Sequence, residues 1–224
     1  MNRDKPRLLD LFCGAGGAAR GYQQAGFYVV GVDIKPQPRY AGDEFHQGDA
    51  LGMAFYLRGF DAIHASPPCQ RFSDLAKRNG NAEAWPDLIA PIRERLDAWG
   101  LPYVIENVEG APLLAPTVLC GTQFGLRVLR HRLFESNEKL DDGPTNLVPH
   151  PKKHPLCYTR DKRKAHYGKL NEMQDFVSVN GGGNCSIAAA RDAMGVDWMT
   201  KAEINEAIPP AYTRFIGEQL LSAI

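Results

Sequence analysis

The chain has 224 residues with equal numbers of acidic and basic side chains, and its hydrophobic and charged fractions, 44% and 23%, exclude a disordered or fibrous protein. No apolar run is long enough to span a membrane, and no apolar signal core precedes the first predicted strand. The five cysteines are odd in number and scattered, as in a reducing compartment. We therefore expect a cytoplasmic protein without a membrane partner, built from one α/β core and a small appendage.

A nucleotide-binding pattern opens the chain. Arg7 to Phe12 is a compact apolar run that predicts a strand, and the glycine-rich turn Cys13 to Ala19 leads into a predicted helix. Glycines let backbone amides approach a ligand, and the start of a helix adds a positive dipole end. The second predicted strand, Tyr28 to Val32, ends at Asp33, which is placed to accept a hydrogen bond from a ribose hydroxyl. Taken alone, this pattern fits a dinucleotide as well as any other adenosyl cofactor.

The stretch Phe60 to Gln70 carries a candidate nucleophile. Ala50 to Leu57 predicts a short helix before it, and Asp61 to Ala65 predicts a buried parallel strand that two prolines stop directly before Cys69. Open α/β sheets build their sites past the carboxyl ends of strands, so we interpret Cys69 as functional; a buried structural cysteine is the alternative. Residues 70–81 are polar and aperiodic, which predicts a mobile loop over the site.

An acidic side chain is predicted at the same edge as the cysteine. Asp87 to Trp99 has apolar residues at helical spacing, and Tyr103 to Ile105 predicts another buried strand with Glu106 and Asn107 at its carboxyl end. Two strands would thus deliver a cysteine and a glutamate to one edge, which favours a catalytic role. A strand-end carboxylate in water is the alternative.

Two further strands are predicted at Thr117 to Cys120 and at Val128 to Phe134. Alternation along the second of these places Arg130 and Arg132 on one face, as two fixed cations that point the same way. Two helices close the predicted core: Ile187 to Met194 and Pro210 to Ile224.

Charge is uneven along the chain although its total is zero. From Arg127 to Lys169 there are eleven Lys or Arg against five Asp or Glu, which favours local contact with a polyanion; a solvated lysine-rich surface is the alternative. The overlapping segment from Ser136 to about Val179 is polar and proline-rich, which predicts an irregular appended lobe. We expect no metal site, because the spacing of four candidate ligands fits no common zinc pattern: His150, His154, Cys157 and His166.

Five motifs occur in order: DLFCGAGG (Asp10 to Gly17), SPPCQ (Ser66 to Gln70), ENV (Glu106 to Val108), RHRLF (Arg130 to Phe134) and EAIPP (Glu206 to Pro210). In order and spacing they resemble the motifs of the C5-cytosine DNA methyltransferases, namely the cofactor loop, the nucleophile, the glutamate, the paired arginines and the segment that returns to the cofactor. Only residues 137–184 fall outside the resemblance.

The resemblance implies a Rossmann-like fold with a mostly parallel sheet, formed by residues 1–136 and 185–224, and a short target-recognition region at 137–184. It implies S-adenosylmethionine as the cofactor, a monomer in a bacterial or phage-infected cell, and a restriction nuclease that is unlinked or absent. The implied cofactor contacts are Phe12, Gly14, Gly16, Gly17, Asp33, Ile34, Asp49, Ala50, Pro68, Glu206 and Ala207.

The implied reaction is methyl transfer to C5 of a cytosine that is flipped out of duplex DNA. Cys69 would add to C6, Glu106 would hydrogen-bond or protonate N3, and Asn107 would help to position the base. Arg130 and Arg132 would hold the O2 edge of the base and the Cys69 region electrostatically. The implied DNA contacts are Gln70, Ser73, Lys162, Arg163 and Lys164.

The chain departs from the family pattern at two motifs. Val128 replaces the glutamine that opens the paired-arginine motif. Asn205-Glu206 replaces a glycine-asparagine pair, and the acidic side chain of Glu206 near the cofactor would change the affinity for the cofactor. The recognition region is short for the family, which implies a short or relaxed recognition sequence. Three alternatives stay open: the same chemistry on an RNA cytosine, a catalytically silent DNA-binding module, and a nicotinamide-dependent oxidoreductase that shares the glycine loop.

Overall fold

The computed structural model describes residues 5–52, 59–73, 76–77, 79–147, 176–177, 179 and 186–224. Its strands are β1 (Arg7–Leu11), β2 (Tyr28–Asp33), β3 (Glu44–Gln47), β4 (Ala62–Ala65), β5 (Tyr103–Asn107), β6 (Thr117–Leu119) and β7 (Arg132–Ser136). Its α-helices are α1 (Gly17–Ala25), α2 (Ile89–Trp99), α3 (Ile187–Met194), α4 (Lys201–Glu206) and α5 (Pro210–Leu220), and 3₁₀ turns occur at Ala82–Ala84 and Gly121–Phe124. None of the helices in these described ranges has the length and apolar character needed to cross a lipid bilayer.

The strands form one mixed, mostly parallel sheet in the order β3-β2-β1-β4-β5-β7-β6. β1 to β5 run parallel, and β7 lies antiparallel between β5 and β6. Helices cover both faces, which explains why β1 reads as a continuous apolar run: Leu8, Leu9 and Leu11 are all fully buried. The predicted α/β, Rossmann-like architecture is therefore confirmed.

The topology opens a crevice beside β1. β1 has β2 as its neighbour on one side and β4 on the other. The loop after β1 and the turn after β4 therefore lead in opposite directions and leave a crevice between them, which is where open α/β sheets bind ligands. α1 is fixed behind the loop by α5, because a Cβ atom on Gly21 would lie 2.1 Å from the Pro210 carbonyl oxygen. The Thr213 hydroxyl also donates to the Ala18 carbonyl (2.9 Å). The close packing of these two helices positions the glycine loop.

Three apolar clusters hold the elements together. Tyr22 on α1 and Tyr212 on α5 belong to the cluster on one face of the sheet, and Ile63 on β4 and Ile92 on α2 belong to the cluster on the other face. A third cluster joins Val128 to α3 and α4. The glutamine position of the resembled motif is thus occupied by a fully buried valine that packs in the core.

The structure corrects several predicted boundaries. β7 begins at Arg132, so the predicted strand start at Val128 is wrong. Val128 instead makes an isolated parallel bridge to Val177, a pairing with a distant segment that local alternation does not reveal. α5 ends at Leu220 and not at Ile224, because the last residues form a turn.

Other differences concern short elements. Glu106 and Asn107 lie within β5 and not beyond it. α4 was not predicted, because it is short and polar; a capping box between Thr200 and Glu203 begins it, and Arg39 binds the same glutamate. Most of the predicted helix at 50–57 lies outside the described residues. In the predicted loop 70–81, the Lys77 N–H donates to the Ser73 carbonyl, so its described part includes a helical turn.

The first part of the predicted recognition region follows the sheet. The Asn137 side chain accepts from the Tyr103 N–H and donates to the Leu101 carbonyl, and the Asp141 N–H donates to Gln219. The Leu147 N–H donates to the Thr122 carbonyl (2.9 Å). Residues 137–147 therefore contact the core, and the division of the chain at residue 137 stays a prediction.

Candidate active site

A cavity of about 390 Å³ opens at the carboxyl ends of β1 and β4. The glycine loop, the SPPCQ turn, the end of β5, the start of β7 and helix α4 contribute its walls. Twelve of the predicted site residues line it: Phe12, Gly14, Gly17, Asp33, Ile34, Pro68, Cys69, Gln70, Glu106, Arg132, Glu206 and Ala207. The structure thus brings the predicted nucleophile and the predicted acid into one cavity with the glycine loop.

The glycine loop is held by the carboxylate at the end of β2. Asp33 accepts hydrogen bonds from the Gly14 N–H (3.0 Å) and the Lys35 N–H (2.9 Å). Gly16 has a φ of +83°, and a Cβ atom there would lie 2.7 Å from the Ala41 backbone nitrogen, so only glycine fits. Asp33 therefore shapes the loop as well as facing the cavity.

Asp10 is a cavity residue that the sequence analysis did not single out. Its side chain is fully buried at the middle of the sheet, and neither carboxylate oxygen has a hydrogen-bond partner among the described residues. Burial, and secondarily the charge of Asp33, raise the pKa of Asp10 well above its ordinary value. The raised pKa favours the neutral carboxyl in the free protein, whereas a cation that meets its unpartnered oxygens would favour the carboxylate, so this wall of the cavity fits a positively charged ligand. An acid inside an apolar strand was the available signal.

Cys69 lies on the rigid turn after β4 and is partly exposed. Burial, and then the charge of Glu106, raise the pKa of Cys69, whereas the charges of Arg132 and Arg130 lower it. The turn is braced by Asn107, whose side-chain amide donates to the Pro67 carbonyl (2.9 Å). The free thiol is therefore largely protonated at neutral pH and becomes a nucleophile when the surrounding charges change.

Glu106 faces the cavity from β5, and only 7% of it is exposed. Its Oε1 atom lies 3.0 Å from Arg132 Nε, and Ser66 lies beside it at the end of β4. Burial raises the pKa of Glu106, although Arg132, Arg130 and Ser66 lower it. A raised pKa favours a carboxyl that can carry a proton at neutral pH and donate it to a ring nitrogen.

Arg130 has a different environment from Arg132. It precedes β7, and its guanidinium donates to the carbonyls of Val179 (3.0 Å) and Asn205 (2.7 Å). Arg130 lies outside the strand, so its predicted place on a strand face is wrong. The charges of both arginines nevertheless lower the pKa values of Cys69 and Glu106. Burial, and secondarily Arg132, lower the pKa of Arg130 to about 9.

Some predicted residues do not line the cavity, although the structure describes them. Asp49 is exposed and accepts a hydrogen bond from the Leu51 N–H (3.0 Å), and Ala50 is buried in the core. The Ser73 hydroxyl donates to the Gln70 carbonyl (3.1 Å), whereas Gln70 Oε1 is buried without a hydrogen-bond partner among the described residues. Gly16, Asn107 and Arg130 are also absent from the residues that line the cavity.

The remaining predicted contacts lie outside the described residues: Lys162, Arg163, Lys164, and the candidate metal ligands His150, His154, Cys157 and His166. Their roles stay predictions, as do the individual roles of the residues that line the cavity.

Comparison with known proteins identifies relatives of this chain. Residues 6–112 match the model of the C-5 cytosine-specific DNA methylase family. The chain is 31% identical to the type II methyltransferase M.HgiGI of Herpetosiphon aurantiacus over 48% of this chain and 94% of that protein. It is 30% identical to M.HgiDI of the same organism over 57% of this chain, and it spans about half of that protein's length (50%).

A solved structure shows the same fold. The S. pombe Dnmt2 methyltransferase superimposes with a TM-score of 0.62 at 15% sequence identity, over 97% of this chain and 98% of that one. At this identity the likeness concerns the fold alone.

Proposed function

Because the chain belongs to the C-5 cytosine-specific DNA methylase family, we propose that it transfers a methyl group from S-adenosylmethionine to C5 of a cytosine flipped out of duplex DNA. One observation carries the proposal: Cys69 and Glu106 line a single cavity together with the glycine loop. A nicotinamide-dependent enzyme would use the loop and leave the thiol and the acid without a role.

The cavity walls fit the proposed cofactor. The unpartnered Asp10 carboxylate suits a cationic ligand, and the glycine loop leaves room for the backbone to approach it. When bound, S-adenosylmethionine supplies a methyl group on a positively charged sulfur. Phe12, Asp33 and Ile34 line the same cavity and would hold the nucleoside part.

The proposed chemistry starts at the thiol. C5 of cytosine is a poor nucleophile, so Cys69 adds to C6 and forms an S–C6 bond, which gives C5 enamine character. Glu106 donates a proton or a hydrogen bond to N3 and offsets the charge that develops on the ring. After methyl transfer, loss of the C5 proton expels the Cys69 thiolate and restores the aromatic ring.

The pKa values of Cys69 and Glu106 are coupled, so that protonation of the acid favours ionisation of the thiol. The negative charge of Glu106 is one cause of the raised pKa of Cys69. Protonation of Glu106 removes that charge, so the form of Glu106 that can donate to N3 also favours the Cys69 thiolate. Arg132 stabilises both anions and lies 3.0 Å from Glu106. Pairing with a base in the cavity would therefore activate both groups together.

A mechanism-based trap tests this proposal. A DNA duplex with 5-fluorocytosine at the target position cannot lose fluorine from C5, so the S–C6 bond should persist after methyl transfer. We expect a covalent protein–DNA adduct that depends on S-adenosylmethionine and in which peptide mapping finds Cys69. Cys69→Ala should give no adduct.

One control substrate and one further outcome separate the alternatives. A structured RNA with the same modified base replaces duplex DNA in a parallel reaction; trapping on RNA alone would move the activity to RNA. Tight duplex binding without any adduct or 5-methylcytosine would support a silent binding module and contradict the proposed function.

A further inference from the structure

A chain of hydrogen bonds runs from the core to Ser66, which lies beside Glu106. Tyr22 Oη lies 3.0 Å from His64 Nδ1, and His64 Nε2 lies 2.8 Å from Ser66 Oγ. Ala65 pairs with Ile105 in the parallel ladder, so Ser66 comes next to Glu106, and both line the cavity. The Ser66 side chain also lowers the pKa of the Glu106 carboxyl. Tyr22 on α1 and His64 on β4 are fully buried and do not line the cavity. Two core residues are thus connected to the predicted acid through one serine.

The direction of these hydrogen bonds follows from the neutral state of His64. Burial lowers its pKa to about 3, so the ring carries a single N–H. In the described part of the chain, the only hydrogen-bond partner of the Tyr22 hydroxyl is His64. The hydroxyl hydrogen therefore has an acceptor only when Nδ1 is bare, which places the ring proton on Nε2.

The same direction continues to Glu106. Nε2–H donates to Ser66 Oγ, so the Ser66 hydroxyl hydrogen is free to donate to the Glu106 carboxylate. The reverse direction would bury the Tyr22 hydrogen without an acceptor, which is unfavourable in a core. On the other side, Arg132 Nε binds Glu106 Oε1 at 3.0 Å.

We propose that Tyr22 and His64 are positioning residues: they hold Ser66 as a donor to Glu106, so that Ser66 and Arg132 occupy the inner sites of the carboxyl and its proton is held toward the cavity. The inference rests on the proposed function, in which that proton meets N3 of the base. Without a fixed direction, Ser66 can donate to His64 instead, and a protonated Glu106 can then turn its proton to Ser66.

The network also affects the titration of Glu106. Burial raises the pKa of Glu106, and the hydrogen bond from Ser66 opposes that shift because it stabilises the charged form. Loss of this donor therefore raises the pKa of Glu106 further. The other charged or titratable groups that face Glu106 are Arg132, Arg130, Cys69, Tyr22 and Tyr212.

The first test compares two phenol deletions. Tyr22→Phe removes only the hydroxyl that fixes His64, and Tyr103→Phe is the matched control because its hydroxyl also hydrogen-bonds inside the protein, to Asp97 (2.8 Å), away from the cavity. In Tyr22→Phe we expect kcat to fall several-fold and KM for the cofactor to stay unchanged. The alkaline side of the profile of kcat against pH should move to higher pH. In Tyr103→Phe this part of the profile should not move. Equal shifts in both variants, or no shift in Tyr22→Phe, would overturn the proposal.

The second test does not depend on activity. Side-chain ¹⁵N NMR of histidine in the free protein, with His64 assigned through His64→Gln, should show the Nε2–H tautomer, and Tyr22→Phe should shift it toward Nδ1–H. An Nδ1–H tautomer in the unmodified protein would overturn the positioning proposal alone. The expected tautomer in a protein that transfers no methyl group to cytosine would support the network and overturn the proposed function alone.

Discussion

Cys69 and Cys120 each follow a strand of the same sheet, yet their surroundings shift their pKa values in opposite directions. Burial and the charge of Glu106 raise the pKa of Cys69. Burial also raises that of Cys120, but hydrogen bonds from His131 and Thr122 outweigh it and bring the pKa to about 6. The surroundings of Cys69 therefore favour the neutral thiol, whereas those of Cys120 favour the thiolate.

The environment of Cys120 explains its charge. Leu119 pairs with Arg132 in the antiparallel ladder, so Cys120 and His131 face each other just beyond it. The hydrogen bond to Cys120 is the main cause that raises the pKa of His131, whose Nδ1 also lies 3.9 Å from Glu109. Cys120 begins a 3₁₀ turn and accepts a hydrogen bond from a backbone N–H of that turn. The opposite pKa shifts of Cys120 and His131 favour a charged pair between the end of β6 and the start of β7.

The comparison shows that an ionised thiol does not identify the nucleophile. Cys120 has the lowered pKa but does not line the cavity, whereas Cys69 lines it beside Glu106. A nucleophile that becomes anionic only when a base and a cofactor are bound is less exposed to unwanted electrophiles in the free protein. The cavity and its acid are therefore better guides to function than the pKa of a free cysteine.

The largest effect should separate the two cysteines by activity. Cys69→Ala removes the atom that adds to C6, so we expect methyl transfer to fall on the order of 10⁴-fold or more, as for other covalent catalysts, while cofactor binding is retained. Cys120→Ala should keep its activity and lose about 1–3 kcal/mol of unfolding free energy, because His131 loses its hydrogen bond to Cys120. Tritium transfer and chemical denaturation measure the two effects. Substantial residual turnover in Cys69→Ala would contradict the assignment.

A second experiment tests the difference in charge directly. Cys120 is buried, so its charge is followed by the ultraviolet absorbance of the thiolate and not by alkylation. The difference in absorbance between the unmodified protein and Cys120→Ala should titrate with a midpoint near pH 6, the value to which its hydrogen bonds lower the pKa. The difference between the unmodified protein and Cys69→Ala should still be rising at alkaline pH, because the pKa of Cys69 is raised. His131→Ala removes the donor that stabilises the Cys120 thiolate, so the Cys120 midpoint should move to higher pH; coincident profiles would refute the comparison.

The smallest effect concerns an exposed charge at the same cavity. Glu206 lines the cavity but is exposed, so solvent screens its charge. Glu206→Gln should change the Kd for S-adenosylmethionine by at most about fivefold, equivalent to about 1 kcal/mol. Asp10→Asn is the buried counterpart and should weaken binding more, because the Asp10 oxygens have no partner in the described chain. Calorimetric titration measures the Kd of both variants. A larger change in Kd for Glu206→Gln than for Asp10→Asn would show that burial does not decide how strongly these charges affect cofactor binding.

Local pattern predicted most of the fold. The apolar runs at β1, β2, β4 and β5 identified the strands because both faces of a parallel sheet are buried, and helix termination by Gly100 and Gly195 matches the predicted ends of α2 and α3. The cavity was also predicted in outline, since strand ends at one edge must meet.

What the sequence analysis missed depends on distant partners. Arg130 is fixed by carbonyls of Val179 and Asn205, far along the chain, so no alternation rule could place it. The chain from Tyr22 to Ser66 requires α1 and β4 to be packed before its members meet. Helix α4 is short and polar, and the Glu203 of its local capping box is also bound by Arg39 from another part of the molecule.

The packing of α1 on α5 has a consequence for synthesis. The hydroxyl of Thr213 meets a carbonyl 195 positions earlier, and Gly21 leaves no space for any side chain against Pro210. The turn that would receive the cofactor is thus supported by a helix made much later by the ribosome. A nascent chain that lacks α5 has no finished pocket, and such a long-range contact is expected to form late and slowly.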